Sequence, residues 1–191
     1  MIRHFMTATL ALAVATGSLF AAEPQDKMVD FVTKKTAEWL QSDSAIAAIT
    51  AQNARTAGLS AGAIDTLDKE WRAQVGQLDT PLINSVVNSE LSMSLIGHVD
   101  ASGGMVTELI VMDAQGLNVA LSSVTSDYWQ GDEEKHQQTY GVGPGAIHIG
   151  EIELDESTQT YQAQVSLSLI DPATDTVIGA VTFGLNAEAF F

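Results

Sequence analysis

Between Tyr161 and Leu169 apolar and polar residues alternate without a break. Tyr161, Ala163, Val165, Leu167 and Leu169 fall on one parity, and Gln162, Gln164, Ser166 and Ser168 on the other. A strand sends successive side chains to opposite faces, so this segment buries one side and keeps the other polar. That pattern belongs to an antiparallel sheet; a parallel sheet, covered on both faces, reads as a continuous apolar run. Neighbouring segments are strand-like too. Residues 106–113 and 117–122 are rich in β-branched and apolar residues and flank Ala114-Gln115-Gly116, a hairpin turn. Beyond the Asp171-Pro172 turn come Val177, Gly179, Val181, Phe183 and Leu185. Ile147 and Ile149 are in one phase, Ile152 and Leu154 in the other. One strand holds both pairs on one face only if it carries an extra residue, so a β-bulge is expected at Gly150.

The first half has the helical period instead. From Asp26 to about Ala57, Met28, Val29, Phe31, Val32, Trp39, Leu40, Ile46 and Ile49 return at intervals of three and four, with Ser42-Asp43-Ser44 as a kink or a new cap. Gly58 ends this stretch, and Ser60 caps a helix through Ile64, Leu67, Trp71 and Val75. Thr80-Pro81 opens another, expected to run to about Leu95. A short helix is expected from Ser126 or Asp127 through Trp129, Asp132 and Lys135 to Tyr140. Helices first and strands afterwards, without βαβ alternation, give an α+β fold: N-terminal helices packed on a five-stranded antiparallel sheet.

The opening MIRHFMTATLALAVATGSLFAA has a basic start, an apolar run and then small residues, the pattern of a secretory signal peptide cut after Ala21. The expected organisation is residues 1–21 as signal peptide and 22–191 as one domain, with 22–100 the helical part and 105–187 the sheet part. A periplasmic product with no membrane span after processing follows from that reading. The formal net charge is −16, and a cleaved leader removes Arg3, leaving the remainder more acidic still. Such a surface repels phosphate backbones and anionic lipid, so nucleic acid is not an expected partner. The chain has no cysteine, which removes disulfides, thiolate metal sites and thiol catalysis from consideration.

Several residues are candidates for chemistry. Gly58-Leu59-Ser60-Ala61-Gly62 matches the nucleophile elbow of serine hydrolases. That elbow needs a strand before its serine, and here a helix precedes it, so Ser60 reads as a helix cap. His98, His136 and His148 fit no compact zinc spacing, although His136 and His148 could approach one another in space. Asp127, Asp132, Glu133 and Glu134 are explained by helix capping and solvation, and no EF-hand spacing is present. No cofactor or metal is expected. The adjacent aromatics Tyr128 and Trp129 stand out, because they suit either the wall of a pocket or the core.

The segments Met112-Asp113-Ala114-Gln115-Gly116-Leu117-Asn118-Val119 and Ser126-Asp127-Tyr128-Trp129-Gln130-Gly131-Asp132-Glu133 resemble the stand-alone periplasmic single-Cache, or PDC-type, sensor domains. The resemblance covers roughly residues 64–188 and implies a PAS-like fold. It also implies a ligand cavity with Asp127, Tyr128 and Trp129 on its lid and Tyr161, Gln164 and Thr182 on its floor. The amino-acid-binding branch of that family has an Arg in the lid and an Asp closing the last strand. This chain has no Arg in the lid and Asn186 at the strand end, so a generic amino-acid ligand is not implied. The expected function is a non-catalytic sensor-type domain that binds a small molecule and relays that event to a membrane signalling protein. The runner-up is a protein–protein interaction subunit without a pocket, and a serine hydrolase ranks third.

Overall fold

A computed structural model describes residues 24–155 and 159–191. The expected signal peptide lies outside the described residues. Five helices come first: α1 (Pro24–Trp39), α2 (Asp43–Thr56), α3 (Ala61–Gln74), α4 (Pro81–Val87) and α5 (Glu90–Ala101). The hairpin β1 (Val106–Asp113) and β2 (Asn118–Leu121) follows, then the one-turn helix α6 (Glu134–Gln137). The remaining strands are β3 (Ile147–Ile149), β4 (Glu153–Asp155), β5 (Thr160–Asp171) and β6 (Thr176–Asn186), and a 3₁₀ turn spans Ala187–Phe190.

Serines set the helix starts. Ser42, Ser60 and Ser89 each accept the backbone N–H three residues on, from Ala45, Ala63 and Ser92, and so satisfy one of the donors a helix start leaves open. The helix expected from Pro81 to Leu95 is therefore two, α4 and α5, broken at Asn88-Ser89. Ser92 ties this break to the sheet. Its hydroxyl donates to the Val86 carbonyl at 2.8 Å and accepts the Leu121 N–H of β2 at 2.9 Å.

All strand pairs are antiparallel, in the order β2-β1-β6-β5-β3, with β4 also on β5. The expected five strands become six because the third is interrupted. Ile149 pairs with Val165 and Glu153 with Gln162, so the outer strand advances one residue further than its partner. Gly150 still donates to the Gln164 carbonyl at 2.8 Å, which places the extra residue just after the expected glycine.

The sheet carries a core on each face. Leu109, Val111, Val165, Val181, Phe183 and Leu185 pack with Met28, Val32 and Leu40 near α1, Ala45 and Ile49 of α2, and Leu95 of α5. On the other face Ile110, Met112 and Ala180 meet Ile64 and Trp71 of α3, Ile83 and Val86 of α4, and Tyr128. This second core stops at Ala180. Farther along that face the side chains are the polar parity of the opening pattern, Gln162, Gln164 and Ser166, and the buried hydroxyls of Ser166 and Thr182 bond each other at 2.9 Å.

Candidate ligand cavity under the one-turn helix

The segment after β2 does not form the expected helix at Ser126–Trp129. It runs extended along β2, with the Asn118 N–H donating to the Tyr128 carbonyl at 3.1 Å and the Gln130 N–H to the Gly116 carbonyl at 2.8 Å. A strand edge offers unpaired backbone groups, and pairing them outweighs the helical preference of so short a stretch. The close pass needs glycine on both sides. Gly116 has φ +84°, and a Cβ there would come within 2.5 Å of the Gly131 Cα.

Asp68 of α3 fixes this strap. Its Oδ1 accepts the N–H groups of Tyr128 (2.9 Å) and Trp129 (3.0 Å), and its Oδ2 accepts Arg72 Nε at 2.7 Å. Arg72 reaches on to Asp127 at 3.3 Å. Burial would raise the Asp68 carboxyl, but the Arg72 bond and the two backbone N–H groups outweigh it and hold the carboxyl below its ordinary value. The Trp129 indole donates to the Gln115 carbonyl at 2.8 Å, which locks that ring to the hairpin turn.

Beyond the strap α6 crosses the polar end of the sheet. His136 Nε2 lies 3.1 Å from the Asp113 carbonyl, which only accepts, so the imidazole carries its proton there. The ring stacks on Tyr140 with centroids 5.1 Å apart. Lys135 pairs with Glu133 at 3.0 Å and donates to Gln130 at 3.2 Å. A four-residue helix is too small to cover the face beneath it. The opening has a volume of about 730 Å³. Glu108 of β1, Gln162 and Gln164 of β5 and His148 of β3 form its floor, with Asp132, Glu133, Glu134 and Lys135 along the lid. Gln164 donates to Glu108 at 2.9 Å, while His148 faces Glu134 across the gap at 3.7 Å.

Of the six residues expected at the site, Gln164 lines this cavity. Thr182 shares its face but is closed off by the bond to Ser166. Tyr161 has the parity of Ala163 and Val165, so it belongs to the opposite face, where it is 48% exposed. Asp127 is held in the strap by Arg72 and Gln130. Trp129 lines a separate opening against α3 and Tyr128 a cleft against α2. Sequence reasoning missed Glu108 and Lys135, and weighed His148 only as a group that could approach His136. Glu108 did leave a signal, a carboxylate set in the apolar run of β1. His136 lies on α6 and His148 faces that helix, but they have different partners, Asp113 and Glu134, and among the described residues no three His, Asp or Glu side chains converge to hold a metal. Ser60 caps α3 immediately after a helical stretch, without the strand that a nucleophile elbow requires.

Two imidazoles make the fold sensitive to mild acid. Burial lowers the pKa of His136, against a smaller opposite effect of its bond to Asp113, and burial together with Lys35 lowers that of His98. A depressed value means that the unfolded chain binds the proton first. Stability is then complete above the ordinary imidazole value of 6.5 and declines as pH falls through it. The urea midpoint is expected to drop between about pH 7.5 and about pH 5.5, and less steeply in His136→Gln. An equal slope in wild type and variant would exclude His136 as a contributor.

No family model matches the sequence, and no curated protein does. Solved structures do match. The ligand-binding domain of the Campylobacter jejuni chemoreceptor Tlp3, bound to 4-methylisoleucine, is similar at 13% identity and TM-score 0.41, over 87% of this chain and 56% of that one. The sensor domain of the V. cholerae histidine kinase DctB is similar at 11% identity and TM-score 0.41, over 87% and 55%. The ligand-binding domain of the Pseudomonas aeruginosa amino-acid chemoreceptor PctC, bound to GABA, is similar at 11% identity and TM-score 0.42, over 88% and 63%. This chain spans between 55% and 63% of the length of these three structures. Among the described residues no helix is long and apolar enough to cross a membrane.

Proposed function

We propose that the protein is an exported, periplasmic, non-catalytic sensor-type domain that binds a small molecule between α6 and the polar face of the sheet. Occupancy is relayed to a separate partner, a membrane signalling protein. The observation that carries this reading is the cavity of about 730 Å³ over Glu108, Gln162 and Gln164. Its size is that of small-molecule sites, and a sheet face without a ligand has little reason to be polar and roofed at once. The lining sets the ligand's charge. Glu108, Asp132, Glu133, Glu134, Glu151 and Glu153 face Lys135 and His148, and Lys135 is already paired with Glu133. Such a field favours a small organic cation with donors for Gln164 and Glu108.

A thermal-shift screen of primary amines, polyamines, nucleobases and organic acids tests this. At least one amine is expected to stabilise the protein by about 2.7 kcal/mol at a hundredfold excess over its Kd. Glu108→Gln and Gln164→Leu are expected to remove most of that shift while remaining folded. An absence of any shift across the amines would sink the reading. The interaction-subunit alternative also has an observation behind it. Leu154 and Tyr161 pair across β4 and β5 and are 47% and 48% exposed, an apolar pair at the sheet margin suited to a protein partner.

A further inference from the structure

On the face of the sheet that carries the first core, α1, the end of α5 and the start of β1 leave an opening of about 260 Å³. Its walls are rings: Phe31 and Trp39 of α1, His98 of α5 and Phe183 of β6. Trp39 lies flat on His98, with centroids 4.4 Å apart and planes 19° from parallel, and tilts by 57° against Phe183 at 6.2 Å. The gap has a local cause. α5 ends at Ala101, Ser102 caps it, and Gly103 and Gly104, at φ +65° and +86°, carry the backbone round to β1. Side chains that small cannot fill the space between the rings, although protein interiors are otherwise close-packed.

The polar groups at this opening are few. Ser102 is spent, since its hydroxyl accepts the Val106 N–H at 3.0 Å and donates to the Val106 carbonyl at 3.4 Å. The indoles of Trp71 and Trp129 donate to backbone carbonyls at 2.9 and 2.8 Å. Trp39, half-buried, has no hydrogen-bond partner among the described residues, and neither has the half-buried imidazole of His98 stacked on it. Burial and Lys35 hold that imidazole below its ordinary 6.5, so at neutral pH it is uncharged and offers one donor and one acceptor. The openings under α6 and against α3 collect six and three carboxylates. Among the described residues this one has none, and its one charged residue is Lys35.

Such a lining describes its occupant. Rings on several sides favour a flat aromatic molecule by stacking and edge contacts, and the absence of a described carboxylate gives a cation nothing to pair with. A void of about 150 Å³ walled by apolar side chains holds one benzene ring, so this one holds a ring with a substituent. We propose that the opening between α1, α5 and β1 is a second small-molecule site, separate from the cavity under α6, which takes a small uncharged phenol. The ring sits among Phe31, Trp39 and Phe183. The hydroxyl, which both donates and accepts, meets His98 and the Trp39 indole N–H.

The test is an NMR titration of the full chain with phenol, p-cresol, toluene and cyclohexanol, following the Trp39 indole N–H resonance, assigned by its loss in Trp39→Phe. Saturable shifts are expected with phenol and p-cresol, with Kd at or below about 1 mM, and binding roughly fivefold to tenfold weaker with toluene, which lacks the hydroxyl. His98→Phe keeps a ring against Trp39 and should remove most of that difference. Ala101→Phe, at an exposed helix position that accepts a large side chain, should fill the opening and weaken calorimetric binding of p-cresol by about tenfold or more. Gln164→Leu, under α6, should leave it unchanged, so the two sites succeed or fail separately. The absence of a saturable shift with both phenols, or binding undiminished in Ala101→Phe, would overturn the site. Cyclohexanol binding as tightly as phenol would overturn the aromatic class, and toluene binding as tightly as p-cresol would overturn the part given to the hydroxyl.

Discussion

Asp113→Ala is expected to lower the free energy of unfolding by about 4 kcal/mol, a fall in Tm of about 12 °C for a chain of this size. The carboxylate is fully buried at the end of β1 and organises everything around the hairpin. Its Oδ1 accepts the N–H groups of Gln115 and Leu117, both at 2.9 Å, which closes the turn. Its Oδ2 accepts Thr56 Oγ1 at 2.8 Å and Gln52 Nε2 at 3.2 Å, which bolts α2 to the sheet. Alanine leaves the N–H groups of Gln115 and Leu117 without their acceptor and strips one bond each from Thr56, which keeps the Gln52 carbonyl, and Gln52, which keeps the Leu117 and Asn118 carbonyls; the cost lies in the orphaned groups more than in the lost attraction. Asp113→Asn retains one carbonyl oxygen and should cost about half as much. Urea unfolding followed by circular dichroism decides it. A loss below about 1 kcal/mol for the alanine variant would mean that water reaches the site and replaces the carboxylate.

Trp71→Ala is expected to cost about 4 kcal/mol as well, by a different route. The indole is fully buried in the second core, donates to the Thr125 carbonyl at 2.9 Å and stacks on Tyr128. Truncation removes packing on one side of the strap and leaves a cavity that rigid neighbours cannot close. The strap should loosen before the sheet does. Hydrogen exchange in Trp71→Ala is expected to accelerate at the Tyr128 and Gln130 amides while β5 and β6 stay protected. Trp71→Phe keeps a stacking ring and loses the hydrogen bond, so its cost should be about 1–2 kcal/mol. Uniform loss of protection across strap and sheet would contradict the division into two cores.

What the residues disclosed in advance was whatever their near neighbours decide. The alternation from Tyr161 to Leu169 defines β5 and its polar face because strand parity is a local property. Ser42, Ser60 and the Gly116 turn are legible for the same reason, since each acts within four residues of itself. The break at Ser89 was missed because the serine reads equally well as a helix-interior residue. Its partner Ser92 is also tied to Leu121 N–H, 29 residues away. Tyr128 and Trp129 stand out in the sequence, but their direction depends on a pairing beside β2 that no local preference encodes. Asp68 is the clearest case. It looks like a solvated helix carboxylate in α3, and only the fold brings it to the strap.

The most direct test of the ligand cavity under α6 is chemical-shift mapping of the labelled protein with the best amine from the thermal-shift screen. The account predicts saturable shifts at the side-chain amides of Gln162 and Gln164 and at the backbone of Asp132, Glu133, Glu134 and Lys135, with the Tyr161 amide little changed. Shifts centred on Tyr161, with the Gln162 and Gln164 side chains unmoved, would contradict it and place the interaction at the sheet margin.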